Sequence, residues 1–132
     1  MDIEIKEYTG IGYSPVIDYE SWRVAILNYI DELDVPNLKT MQKHCLSDEV
    51  FVLLNGSCTL FSAGNGDEIG DISATKLEPY KMYNVKKGVW HTHTLEPNTM
   101  VLIVENQNTC DDNSPTKNMS DDQIEQLRNC MK

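Results

Sequence analysis

Positive charge is scarce in this chain of 132 residues: 11 Lys and Arg stand against 21 Asp and Glu, for a formal net charge of −10. Binding to a polyphosphate backbone draws on counterion release by clustered cations, so nucleic acid is excluded as a partner class. Long apolar runs are also missing, and nothing approaches the roughly 18 residues of a membrane span. The opening residues, MDIEIKEYTG, are acidic and lack the basic and apolar segments of a signal peptide. No membrane partner and a cytoplasmic location are therefore expected. Cys45, Cys58, Cys110 and Cys130 include no Cys-x-x-Cys pair, and without a secretory signal the expectation is free thiols, with Cys58 a small core residue. What remains is ordinary globular composition, 40% hydrophobic and 24% charged, over a length suited to one core.

Short β-rich runs separated by turn signals dominate the chain, which points to an all-β sandwich or barrel. Residues 20–30 (ESWRVAILNYI) read as a buried strand from their Trp, Val, Ile and Tyr content, and Pro36 within DVPN places a loop after them. In EVFVLLNGSCTLF, Asn55-Gly56 separates two strand-like runs by two residues, the signature of a type I′ hairpin. That register sets Leu53 opposite Cys58, Phe51 opposite Leu60 and Glu49 opposite Ser62. One face then carries Glu49, Phe51, Leu53, Cys58 and Leu60, and its apolar character makes it the barrel interior. The segment AGNGDEIGD, residues 63–71, fits no calcium loop and reads as a solvated turn. Further strands are expected near 80–85, 91–95 and 99–105. A polar stretch follows, and Ser120 with Gln123 forms a capping-box pattern that starts a terminal helix, with Ile124, Leu127 and Met131 on one face. The division expected is a barrel over 1–110, and over 111–132 a polar linker and helix packed on the barrel or on a dimer partner.

The chemistry-bearing residues gather at one end of the interior face. His44 and Glu49 flank the connection 45–48, so a hairpin there sets their side chains together, and Gln42 shares the His44 side by strand alternation. An amide, an imidazole and a carboxylate at the end of an apolar interior are costly without partners. His91 and His93 are two residues apart and share one face of a strand. Two histidines and a carboxylate suit a divalent transition metal with open positions for substrate. The competing reading is three ordinary histidines at strand ends. Tyr83 and Glu105 are further candidates for acid or base work. Trp90 alternates away from His91 and reads mainly as packing, with ligand contact as the alternative. Lys81, Lys86 and Lys87 read as solvated loop lysines, with steering of an anionic substrate as the alternative.

The run Gln42-x-His44-x4-Glu49-x6-Gly56 resembles the first cupin motif, with Gln42 where the first His usually stands, and Gly88-x2-His91 resembles the end of the second. Lys86 replaces the usual Pro, and Leu95 stands where Asn is expected. The resemblance spans over a third of the chain. It implies a double-stranded β-helix, or jelly roll, and a metal held by His44, Glu49, His91 and Gln42, with His93 the alternative fourth ligand. MQKHCLSDEVF and Asn84-x3-Gly88-Val89-Trp90-His91 are also similar to segments of ureidoglycolate lyases, which are cupins that cleave a small hydroxy urea bearing a carboxylate. Here Gln42, Lys43, Glu49 and Val85 depart from that family's pattern.

The function expected is thus a metal-dependent lyase or isomerase on a small polar carboxylate or a sugar, using Zn, Mn, Ni or Fe. His93, Tyr83 and Glu105 are its catalytic candidates, and Phe51, Leu53 and Trp90 its substrate contacts. The alternative is a noncatalytic barrel that binds or senses a small molecule. A homodimer is expected by analogy, with Trp22, Tyr29 and the terminal helix as apolar contact surface.

Overall fold

The computed structural model describes residues 2–132. Ten strands and one α-helix follow in chain order: β1 Tyr13–Tyr19, β2 Trp22–Asn28, β3 Thr40–Gln42, β4 Glu49–Asn55, β5 Cys58–Ser62, β6 Ser73–Lys76, β7 Tyr83–Val85, β8 His91–Leu95, β9 Met100–Asn106, β10 Thr116–Asn118 and α1 Asp121–Cys130. They form two antiparallel five-stranded sheets, ordered β1-β2-β9-β4-β7 and β10-β3-β8-β5-β6. No helix among the described residues is long and apolar enough to cross a membrane.

Alternation along the central strands stacks the interior in rows. Ala25, Ile103 and Phe51 pair across β2, β9 and β4, and Leu27, Val101 and Leu53 form the row beside them. One step toward the other end the register continues as Arg23, Glu105 and Glu49, which turns an apolar floor into a charged row. Cys58, Leu60 and Leu95 face them from the second sheet, and these apolar residues form the inner core. Burial pushes the Cys58 thiol up to about 12, so it stays a neutral core group. Cys45, Cys110 and Cys130 are exposed free thiols.

The hairpin read at Asn55-Gly56 is not formed. β4 pairs with β7 and β9, β5 pairs with β6 and β8, and the chain crosses here from one sheet to the other. A type I′ turn needs positive φ at both central residues, but only Gly56 has it, at 87°. The inward face Glu49, Phe51, Leu53, Cys58, Leu60 nonetheless stands, because alternation fixes which way side chains point whatever the partner strand is. The connection 45–48 is likewise no hairpin, since β3 and β4 lie in opposite sheets.

A second core covers the outer face of the second sheet. Phe61, Met41 and Trp90 are buried there beneath Leu38, Ile69, Ile72, Met119 and Leu127. The segment 63–71 is no free solvated turn. Ala63 N–H donates to the Trp90 carbonyl, Trp90 N–H to the Gly64 carbonyl, and the Trp90 indole N–H to the Gly66 carbonyl. Helix α1 starts at the expected capping box, in which Ser120 Oγ accepts from Gln123 N–H and Gln123 Oε1 from Ser120 N–H. It packs on its own barrel through Leu127 and Ile124, while Met131 turns to solvent. Strand β10, within the stretch read as polar linker, adds to the sheet edge beside β3.

A Cβ on Gly56 meets the Thr99 Cα at 2.6 Å and collides with its Oγ1, whereas one on Gly64, at φ 74°, meets nothing within 4 Å. Gly64→Ala carries the left-handed backbone penalty alone, about 1–2 kcal/mol. Gly56→Ala adds a backbone clash at the sheet crossing and is expected to cost more, about 3 kcal/mol or above. Urea denaturation of the two variants checks this, and equal midpoints contradict it.

Candidate metal centre

Three side chains converge where the charged row meets the end of the second sheet. Glu49 is the first residue of β4, and His91 the first of β8, set opposite Gln42. His44 lies just past β3, where its carbonyl accepts from Gly88 N–H at 2.8 Å. Glu49 Oε1 sits 3.2 Å from His44 Nε2 and 3.1 Å from His91 Nε2. All three residues are buried, and their ligand atoms lie within 4.8 Å of one another.

The outer nitrogens decide the tautomers. The His91 Nδ1–H donates to the Val89 carbonyl at 3.0 Å. Ser114 Oγ donates to Asn113 Oδ1 at 3.1 Å, so it accepts the His44 Nδ1–H at 2.7 Å. Each neutral ring thereby turns its Nε2 lone pair toward the carboxylate. Three acceptors facing one another need a cation among them, either a proton on a ring or a metal ion. Bond partners on Nδ1 and free Nε2 lone pairs are what a histidine metal ligand requires, so the donor set fits a divalent transition metal.

Burial works against charge on Glu49, yet the adjoining His44 and His91 imidazoles outweigh it and hold its carboxyl well below the usual range. Burial likewise opposes a charged His44, but Glu49 raises its pKa above the ordinary value. Glu105 behaves in the opposite way. Burial first, and then the adjoining Glu49, push its pKa up, so of the pair Glu105 is the one that takes a proton more readily. Glu105 Oε1 accepts from the Tyr13 hydroxyl at 2.5 Å and from Arg23 Nη2 at 2.8 Å. Burial pulls His93 down to about 4, and the adjoining His91 adds to this, so the ring is neutral at pH 7. Its Nδ1 is buried without a partner.

These groups line a cavity of about 280 Å³. Gln42, His44, Glu49, His91, His93 and Glu105, all named from the sequence, line it. Gln42 stays outside the three-residue cluster, and its amide Nε2 donates to the Ser114 carbonyl at 3.1 Å. Four other expectations do not reach the cavity wall. Tyr83 packs against the inner core and its hydroxyl accepts from Glu78 N–H. Phe51 lies beneath the site, its ring centroid 5.7 Å from that of His93, and Leu53 is one row deeper. Trp90, next to His91, is turned by alternation into the second core.

Tyr13, Arg23, Asp111 and Ser114 also line the cavity and were not singled out from sequence. Arg23 had a visible signal, a lone cation inside the apolar run WRVAILN. Ser114 had none, since it acts through the tertiary placement of loop 109–115, where Lys43 and Cys45 N–H bond to Pro115 and Asn113 carbonyls.

No family profile matches the sequence, and no curated protein does. Solved structures do resemble it in fold. A cupin-2 domain protein from Shewanella frigidimarina superposes with a TM-score of 0.53 at 17% identity, over 75% of this chain and 85% of the other. A nucleoside dehydratase from Streptomyces, solved with uridine, gives 0.59 at 8% identity, over 86% and 84%. A TDP-fucose-3,4-ketoisomerase from Campylobacter jejuni gives 0.54 at 18%, over 74% and 68%. Two facing five-stranded sheets, a short terminal helix and these neighbours establish that the protein has the cupin fold.

Proposed function

We propose that the protein is a metal-dependent enzyme, an isomerase or lyase that moves a proton within a small hydroxylated carbonyl compound. The observation that supports this best is the meeting of two Nε2 lone pairs and one ionised carboxylate at the base of a cavity, each ring held by a bond on its other nitrogen. A divalent ion held by His44, Glu49 and His91 supplies Lewis-acid polarisation of a carbonyl or hydroxyl oxygen.

Glu105 is the proton-moving group. Its Oε1 is occupied by Tyr13 and Arg23, which leaves Oε2 to carry the proton, and its raised pKa favours exchange of that proton over a permanently ionised carboxylate. Tyr13 and Arg23 position it. His93, neutral and hard to protonate, serves as a polar wall rather than as the base.

Arg23 is the one cation among the cavity-lining residues, and it already bonds Glu105 and the carbonyls of Gln107 and Thr109. Glu49, Glu105 and Asp111 share that wall. An uncharged sugar-like substrate therefore fits better than a ureidoglycolate-like carboxylate. The fold neighbour that acts on a nucleoside supports this choice. A noncatalytic binding barrel is the second reading, favoured by Gln42, whose amide is engaged elsewhere and adds no imidazole to the set.

Protein purified without chelator is expected to carry near-stoichiometric transition metal by elemental analysis. His44→Ala and His91→Ala lose it, and Ser114→Ala, which frees His44 Nδ1, weakens affinity about 10–100-fold. No metal after adding zinc, manganese, nickel and iron in turn contradicts this and leaves the noncatalytic barrel.

His93 yields a second, independent prediction. In the unfolded chain it titrates near 6.5 and takes up a proton before the folded protein does. Its stabilising contribution is thus complete above pH 6.5 and is lost as pH falls toward about 4. The metal-free wild type is expected to lose about 3 kcal/mol more than His93→Gln across that window, read by urea denaturation. Parallel pH profiles contradict a buried neutral His93.

A further inference from the structure

The loop that follows β9 has no apolar anchor. Residues 107–113, QNTCDDN, enter neither hydrophobic core, so hydrogen bonds give the loop its shape, and they converge on Asn113. The Asn113 N–H donates to the Cys110 carbonyl at 3.2 Å, and the Asn113 carbonyl accepts from Cys45 N–H at 3.0 Å. In its side chain, Oδ1 accepts from Cys110 N–H at 3.2 Å and from the Ser114 hydroxyl at 3.1 Å, while Nδ2 donates to the Asn108 carbonyl at 2.7 Å. Asn113 lines no part of the cavity, so whatever it does for the site passes through Ser114.

Two backbone groups fix which way round the Asn113 amide lies. A backbone N–H only donates and a carbonyl only accepts, so Oδ1 belongs at Cys110 and Nδ2 at Asn108. Oδ1 itself only accepts, which obliges the Ser114 hydroxyl to donate toward it. With its one proton directed there, Ser114 Oγ offers a lone pair to His44 Nδ1, 2.7 Å away. His44 must then carry its proton on Nδ1 and leave Nε2 bare toward Glu49, 3.2 Å off.

Released from that constraint, the metal-free site favours the other tautomer. A Ser114 hydroxyl free to turn donates to Nδ1, the ring proton moves to Nε2, and Nε2–H donates to the Glu49 carboxylate. That arrangement pairs every group, and it buries the lone pair a metal ion needs under a proton. Gln42 steadies the same chain of bonds. Its Nε2 donates to the Ser114 carbonyl at 3.1 Å and Lys43 N–H donates to the Pro115 carbonyl at 3.1 Å, which holds the backbone from which the hydroxyl reaches His44.

We propose that Asn113 is a positioning residue: it sets the direction of the hydrogen-bond chain from Asn113 through Ser114 to His44, and so holds His44 in the tautomer that presents Nε2. The use made of that tautomer rests on the metal reading, whereas the tautomer itself is a property of the metal-free chain.

Nitrogen NMR of the imidazoles tests it, on metal-free protein at an alkaline pH where His44 is neutral, with its signals assigned by their loss in His44→Gln. Wild type is expected to carry the His44 proton on Nδ1. In Asn113→Ala the proton moves to Nε2 in most molecules, and zinc binds about tenfold more weakly. Asn113→Asp separates polarity from loop support. It keeps both acceptor bonds, from Cys110 N–H and from Ser114, and loses the donor to Asn108. The Asp variant is therefore expected to keep the Nδ1–H tautomer, whereas a merely structural Asn113 predicts that Asp and Ala behave alike. A wild type protonated on Nε2, an Asn113→Ala that stays on Nδ1, or an Asn113→Asp that shifts as Ala does each overturns the proposal. A wild type that binds no zinc contradicts the metal reading alone, because the tautomers are compared without metal.

Discussion

An ionised carboxylate at the end of an apolar barrel is the constraint on which this structure turns. Glu49 is 6% exposed, and an unpaired charge at such depth costs several kcal/mol. Its compensation comes from the facing sheet and from the loops beside it. His44 reaches it from beyond β3 and His91 from the head of β8. Those rings are held in turn by Ser114 on the loop before β10 and by the Val89 carbonyl. The turn at Gly88, bonded to the His44 carbonyl, ties the two histidine-bearing segments together. One buried charge thus recruits three other segments of the chain.

The second carboxyl explains why the site has two characters. Glu105 lies in the same row as Glu49, and two carboxylates so close do not both ionise. The imidazoles favour the charged form of Glu49, while burial and Glu49 itself raise the pKa of Glu105 against the opposing pull of Tyr13 and Arg23. Two carboxyl groups whose pKa values are pushed apart then stand side by side, a separation set by partners rather than by residue type.

Much of this was legible in the chain because period-two alternation is local. It set Glu49, Phe51 and Leu53 inward, His91 and His93 inward, and Trp90 outward, although the strand partners were misread at Asn55-Gly56. Strand pairing is not local. A two-residue Asn-Gly insert serves a hairpin or a crossing between sheets equally well, and here Thr99, 43 positions beyond Gly56, decides the matter by leaving no room for a side chain. The same limit hid Ser114 and Tyr13, whose roles exist only once distant segments meet. It also turned Phe51 and Leu53 from expected substrate contacts into floor, since facing inward does not say how deep a residue lies.

The most direct test of the central claim is X-ray absorption at the metal edge of protein reconstituted with one equivalent of zinc. The account requires a first shell of two imidazole nitrogens and at least one carboxylate oxygen, from His44, His91 and Glu49. Cys110 lines the same cavity and Cys45 is an exposed free thiol. A shell containing sulfur, or one of oxygens alone, contradicts the assignment.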